Sequence, residues 1–346
     1  FLVGRLGAAM VQGLQGSSSG EIASDHVAAT LKHFAGYAGT TGGRNRSPYP
    51  NGIRHLLDTE IPPFRHVINT SRPASVIAAF NEIEGLPCHV NEWMLQDVLR
   101  KQLGFEGLLV GDYQGLNLVR WYQKIGTSDA DVGSMALKAG LQLELPNAFG
   151  YKHLQKLVQN GSVQEQDIDT AVRQMLSLKF RLGLFEAPMR LDGDKAEALA
   201  DSQDTDSLAC EAARQSIVLL KNENNFLPLR IGQHKKIAVI GPNAAVCRLG
   251  NYSGMPRHTV SPFEGIRDCV GNQATVVHAE GCKIAKNDTG SSYKNWRYVD
   301  EVKFVSVEQN RPLIAEAVRT AQDADLVVLA LGDNVLLSRE AWGENH

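Results

Sequence analysis

Carboxylates follow buried apolar runs at two places in this 346-residue chain. Leu108-Leu109-Val110-Gly111 leads straight into Asp112-Tyr113. Leu326 to Leu331 leads into Gly332-Asp333, with Ser338-Arg339-Glu340-Ala341-Trp342-Gly343-Glu344 beyond. Two other apolar runs end in polar side chains: Lys32-His33 near the end of 28–34, and Asn81-Glu82 after 74–80. A carboxylate at a strand end commonly caps a turn. Beside Lys and His it also stays ionised, and the cations donate hydrogen bonds to a polar ligand.

The elements that must carry these residues follow from periodicity. Apolar runs at 28–34, 74–80, 108–112 and 141–145 read as strands. Helical spacing lies between them: Trp93, Leu95, Val98 and Leu99; then Val132, Met135, Ala136 and Ala139; then Val172, Met175, Leu176 and Leu178 before Gly183. Strands alternating with helices imply βα units on a parallel sheet, where function gathers at the C-terminal strand ends. Residues 186–206 are rich in Ala, Asp and Ser with little apolar periodicity, and read as a linker. A second α/β pattern follows: a helix over 207–220, a strand over 235–241, a helix over 312–324 and a strand over 326–331. The expected domains are 1–185, a linker at 186–206, and 207–346.

Composition narrows the function classes. Thirty-five Lys+Arg against 38 Asp+Glu give a net charge of -3, which argues against nucleic acid as a partner. No run of 18 apolar residues suggests a membrane span. Five cysteines, with no C-x-x-C pair, give no zinc-site spacing, so no metal site is expected. Cys269 and Cys282 flank a short segment and could pair in an oxidising compartment.

The ordered series of motifs resembles the family 3 glycoside hydrolases. It runs through Lys32-His33-Phe34-Ala35-Gly36-Tyr37, Ile61-Pro62-Pro63-Phe64, Ala79-Phe80-Asn81 and Gly85-Leu86-Pro87-Cys88. It continues with Gly104 to Tyr113, Leu178 to Phe185, Ser216 to Asn222, Leu227-Pro228-Leu229 and Ile237 to Ala244. Each segment alone is a weak signal; their order along nearly the whole chain is a strong one. The resemblance implies an α/β architecture: a (β/α)8-like TIM barrel followed by an α/β sandwich, with the active site between them. A (β/α)8 barrel typically needs about 250 residues. Only four good strands precede the linker, and neither end of the chain carries a terminal signature. The sequence is therefore expected to be an internal slice, lacking the N-terminal part of the barrel and the C-terminal part of the sandwich. Any secretion signal would lie outside it, and a periplasmic or secreted location suits the resemblance.

The resemblance also implies roles. Asp112 would be the catalytic nucleophile and Glu340 the general acid/base, with Glu344 an alternative. Lys32 and His33 would bind hydroxyls of the terminal sugar, and Tyr113 and Tyr252 would clamp the next ring. A retaining glycosidase sets its carboxyl groups about 5–5.5 Å apart and separates their pKa values. Such a mechanism calls for no cofactor. Its partner is an oligosaccharide or aryl glycoside, and a homo-oligomer is compatible with it. The chain departs from the family at several places. Gly111 stands where Ser is usual, and Phe80 where some members have Tyr. The family's upstream sugar-binding Asp and Arg are not found in residues 1–31. Arg44 and Arg46 would line the site or simply occupy a solvated loop.

Within the family, β-glucosidase is favoured. A β-xylosidase often has Cys where Tyr113 stands, and the N-acetylglucosaminidase branch has Pro-Gly-His where this chain has Ala35-Gly36-Tyr37. Two readings from other classes remain. A non-catalytic carbohydrate-binding protein could keep the same fold. A dinucleotide-binding oxidoreductase would need G-x-G-x-x-G, but the turn after Ile240 is Gly241-Pro242-Asn243-Ala244-Ala245-Val246.

Overall fold

A computed structural model describes residues 1–186, 192–250, 253–254, 256, 258–286, 302–334 and 336–337. The chain divides into two compact units that part between residues 191 and 192.

The first unit is built on a four-stranded parallel sheet of order β1-β2-β5-β6. Its strands are β1 (Thr30–Phe34), β2 (Ser75–Ala78), β5 (Leu108–Tyr113) and β6 (Leu143–Leu145). All four apolar runs expected as strands are there, in adjacent positions. The central pair β2 and β5 is buried nearly throughout, which is why both read as continuous apolar runs. A short antiparallel hairpin, β3 (Glu82–Ile83) with β4 (Leu86–Pro87), leaves the end of β2. Helices alternate with the strands: α1 (Leu2–Gln15), α2 (Ile61–Ser71), α3 (Trp93–Gln102), α4 (Gly115–Trp121), α5 (Asp129–Lys138), α6 (Leu154–Gln159) and α7 (Glu165–Arg181). Helix α5 starts where the Ser128 side chain accepts the Asp131 amide. Phe34, Val76, Leu95, Leu99, Leu109 and Leu141 lie in one core between sheet and helices.

Pairing lapses at two strand ends. In β1 the partners step from Leu31↔Val76 to Phe34↔Ala78, so Lys32 and His33 together face Ile77. In β5 they step from Val110↔Leu143 to Tyr113↔Leu145, so Gly111 and Asp112 together face Glu144. Each is a bulge, the local device that re-aims side chains at the rim of a sheet.

The second unit carries β7 (Lys236–Ile240), β8 (Thr275–Ala279) and β9 (Leu326–Leu329) in a parallel sheet of order β8-β7-β9. Alternation along β7 sends Ile237 and Val239 into a cluster with Phe263 and Ile266 of α10 (Pro262–Val270). Ala238 and Ile240 meet Ala317 and Ala321 of α11 (Val307–Gln322) on the other face. Gly241 ends β7 at φ 135°, where a Cβ would stand 2.3 Å from the Ala330 carbonyl oxygen.

Several sequence expectations shift. Residues 186–206, read as a linker for their little apolar periodicity, hold α8 (Gly193–Ala200) and the start of α9 (Gln203–Ser216). Asp192 and Ser202 cap these helices through the Lys195 and Thr205 amides. Neither helix has a buried residue, so the apolar periodicity that reveals a helix is absent from 192–206. Helix α9 ends before Ile217 and Val218, whose β-branched side chains favour extended backbone. Helix α11 begins five residues before Pro312, at a capping box of Ser306 and Gln309. Cys269 and Cys282 are both free thiols in the structure.

The end of β6 is held by a buried carboxylate. Glu144 Oε1 accepts the Phe149 and Gly150 amides at 2.9 and 3.1 Å, and Oε2 accepts those of Gly150 and Tyr151 at 3.1 and 2.9 Å. Replacing Glu144 by Ala strands three amides, and each unsatisfied buried donor costs about 1–3 kcal/mol. Glu144→Ala is expected to lower unfolding stability by at least about 3 kcal/mol in urea titrations. A loss under about 1 kcal/mol would show that water replaces the carboxylate freely.

Candidate active site

Lys32-His33 and Asp112 lie two strands apart in the sheet, beyond the last regular β2–β5 pair, Ile77↔Val110. Their bulges free them from the ladder at the C-terminal ends of the strands. His33 Nε2 lies 3.3 Å from Asp112 Oδ2, with both side chains largely buried. The Tyr113 amide donates to Asp112 Oδ1 at 2.7 Å. Gln114, in the left-handed region at φ 63°, donates its amide to the Leu145 carbonyl at 2.9 Å, which anchors the strand end to β6.

Opposing effects set the charge of Asp112. Burial is the largest single one and pushes its pKa up. The hydrogen bonds from His33 and the Tyr113 amide, with the fields of His33 and His89, outweigh it together and hold the carboxyl below its ordinary 3.8. The group is therefore ionised at neutral pH.

Lys32 is exposed and lines, with His33, Gly36 and Tyr37, a pocket of about 420 Å³. The Tyr37 ring stands 4.7 Å from that of His33. Tyr113, next to the carboxylate, keeps 63% of its surface exposed, so its ring face is open. Arg46 is not a solvated loop residue: its guanidinium lies 5.7 Å over Phe80 and 6.0 Å over Tyr122. Arg44 is exposed. A Cβ at Gly111 would meet Leu141 Cδ2 at 3.3 Å and the Leu143 carbonyl oxygen at 3.4 Å, so a larger residue there needs its neighbours to give. Glu340, its alternative Glu344, and Tyr252 lie outside the described residues.

Sequence reasoning missed His89. The Asp112 amide donates to its Nε2 at 3.0 Å. Its ring stacks on Phe80 at 5.9 Å. Burial above all drives its pKa down to about 4, so it is neutral at ordinary pH. The one available signal is a histidine just after the Gly85-Leu86-Pro87 turn, and nothing local marks it as a neighbour of Asp112. No group of His, Cys, Asp and Glu able to hold a metal occurs among the described residues, and no described helix is long and apolar enough to cross a membrane.

Residues 1–178 match the glycosyl hydrolase family 3 N-terminal domain, and residues 217–346 match the C-terminal domain of the same family. The chain belongs to glycosyl hydrolase family 3. It is 32% identical to a β-xylosidase of Formosa agariphila over 96% of its own length and 45% of that protein's. It is equally 32% identical to a periplasmic β-glucosidase of Salmonella typhimurium, over 99% of this chain and 45% of that one. The chain thus spans about half the length of the curated relatives it matches. Among solved structures, a β-glucosidase from Erythrobacter marinus superposes with a TM-score of 0.90 at 37% identity, over 98% of this chain and 45% of that one. A β-glucosidase from Listeria innocua in complex with isofagomine gives 0.81 at 28%, over 98% and 44%. The α/β architecture of two family 3 domains, with a TIM-barrel-like first domain, is therefore that of the family.

The geometry predicts how Asp112 titrates. Its folded pKa lies below the unfolded one, so its contacts stabilise the fold above about pH 3.8, and that contribution is lost as pH falls through the folded value. Carboxyl carbon NMR should give Asp112 a midpoint below 3.8, and His33→Ala should raise it. A midpoint unmoved by His33→Ala would remove His33 as the stabilising partner.

Proposed function

We propose that the chain carries the two catalytic carboxyl groups of a retaining exo-β-glycosidase, with β-glucosidase the favoured activity. One observation supports this above the others: a buried carboxylate, kept ionised by His33 and the Tyr113 amide, at the C-terminal mouth of a parallel sheet. In this reading an Asp112 oxygen attacks the anomeric carbon of a terminal β-D-glucosyl unit. The C–O bond to the leaving group breaks as Glu340 donates its proton to the departing oxygen. The glycosyl–Asp112 ester is then cleaved by water, with Glu340 taking the proton. Lys32 and His33 bind sugar hydroxyls, and the faces of Tyr113 and Tyr252 take the ring of the next sugar or an aryl aglycone.

A second reading within the same chemistry is β-xylosidase. Equal identity to the Formosa agariphila β-xylosidase favours it. A xylosyl unit lacks the exocyclic CH₂OH of a glucosyl unit, so discrimination depends on what surrounds C5. The relative rates of p-nitrophenyl β-glucoside and β-xyloside decide between them.

In the complete protein, Asp112→Asn should reduce hydrolysis of the better of these substrates by about a thousandfold or more. Glu340→Ala should be partly rescued by azide on an aryl glycoside whose leaving group needs no proton. Retained turnover in the first variant, or rescue confined to Glu344→Ala, would overturn the assignment.

A further inference from the structure

The Asp112 carboxylate depends on where its own backbone is held, and the ladder does not hold it. Regular pairing between β2 and β5 stops at Ile77↔Val110. Beyond it the Ala79 amide continues the pairing with β1, at 2.7 Å from the Phe34 carbonyl, and the Asp112 amide bonds a side chain in place of a strand carbonyl. An imidazole fills the gap. His89 Nε2 accepts the Asp112 N–H at 3.0 Å. A backbone N–H can only donate, so Nε2 must be unprotonated and the proton of the neutral ring must sit on Nδ1.

The space for the ring is built into the chain. A Cβ at Gly115 would stand 2.2 Å from His89 Nε2, so glycine there is what admits the imidazole. Phe80 backs the ring, and the Arg46 guanidinium lies over Phe80. His89 is 1% exposed and cannot itself touch a sugar.

We propose that His89 is a positioning residue: its imidazole replaces the ladder bond missing between β2 and β5 and so fixes the backbone, and with it the carboxylate, of Asp112. This inference rests on the reading of Asp112 as nucleophile. Its chemical consequence is geometric. Misplacing a reacting group by about 1 Å can cost about 100-fold in rate.

The test compares His89→Phe, a ring without an acceptor, with His89→Gln, whose amide oxygen can stand where Nε2 stands. In the complete protein with its preferred p-nitrophenyl β-glycoside, His89→Phe should lower kcat by about 100-fold with KM changed by less than about twofold. His89→Gln should recover at least about a tenth of the parental kcat. An unchanged kcat in His89→Phe, or equal losses in both variants with KM rising in proportion, overturns the proposal. A readout on the parent protein does not depend on either variant folding. Nitrogen NMR of the His89 ring at pH 6 should show a protonated Nδ1 and a bare Nε2; the opposite tautomer, or a doubly protonated ring, overturns it. A parent that hydrolyses no glycoside removes the nucleophile reading alone. The ring tautomer still decides whether His89 holds the Asp112 amide.

Discussion

Parallel pairing in the first unit runs out of step where its polar residues stand. Two residues of β1, Lys32 and His33, share one partner position, and so do Gly111 and Asp112 of β5. A regular ladder would spend these backbone groups on its neighbours and alternate the side chains strictly between faces. The bulges free them and turn His33 and Asp112 toward each other at 3.3 Å. The opened backbone then needs other partners. His89 takes the Asp112 amide, while Gln114 and Ala79 rejoin the ladder at the Leu145 and Phe34 carbonyls. The site is in this sense the way the sheet ends.

Burial makes that arrangement consequential. A carboxylate moved out of water tends to take up a proton, and burial is the largest single influence on Asp112. Its ionisation therefore depends on short contacts from His33 and the Tyr113 amide. The same burial acts on His89 in the opposite chemical sense, since it disfavours a cation and leaves a neutral ring with one acceptor nitrogen. One environment thus keeps one group charged and its neighbour uncharged. Each state is the one that its hydrogen bonds require.

Elsewhere the same accounting of buried polar groups explains fixed points of the fold. Glu144 collects three amides beyond β6. Arg100 binds the Phe105 and Gly107 carbonyls and the Gln142 side chain at the opposite ends of β5 and β6. Arg100 thus ties the start of β5 to that of β6, and Glu144 ties β6 to the loop that follows it.

Much of the fold was legible in the residue pattern. The runs at 28–34, 74–80, 108–112 and 141–145 are all strands, and the central two are buried because continuous apolar stretches suit a sheet covered on both faces. Asp112 was legible too, as a charge placed directly after such a run. The helices of 192–206 were not, since a helix with no buried face leaves no periodic signal. Nor was β8, whose exposed Thr275 and His278 interrupt its apolar pattern. His89 illustrates the deeper limit. Strand positions and the chemical types at their ends are local properties, carried by hydrophobicity and spacing. Which side chain meets the Asp112 amide depends on where the chain returns after a hairpin and on the room left by Gly115, and only the packed tertiary structure decides that.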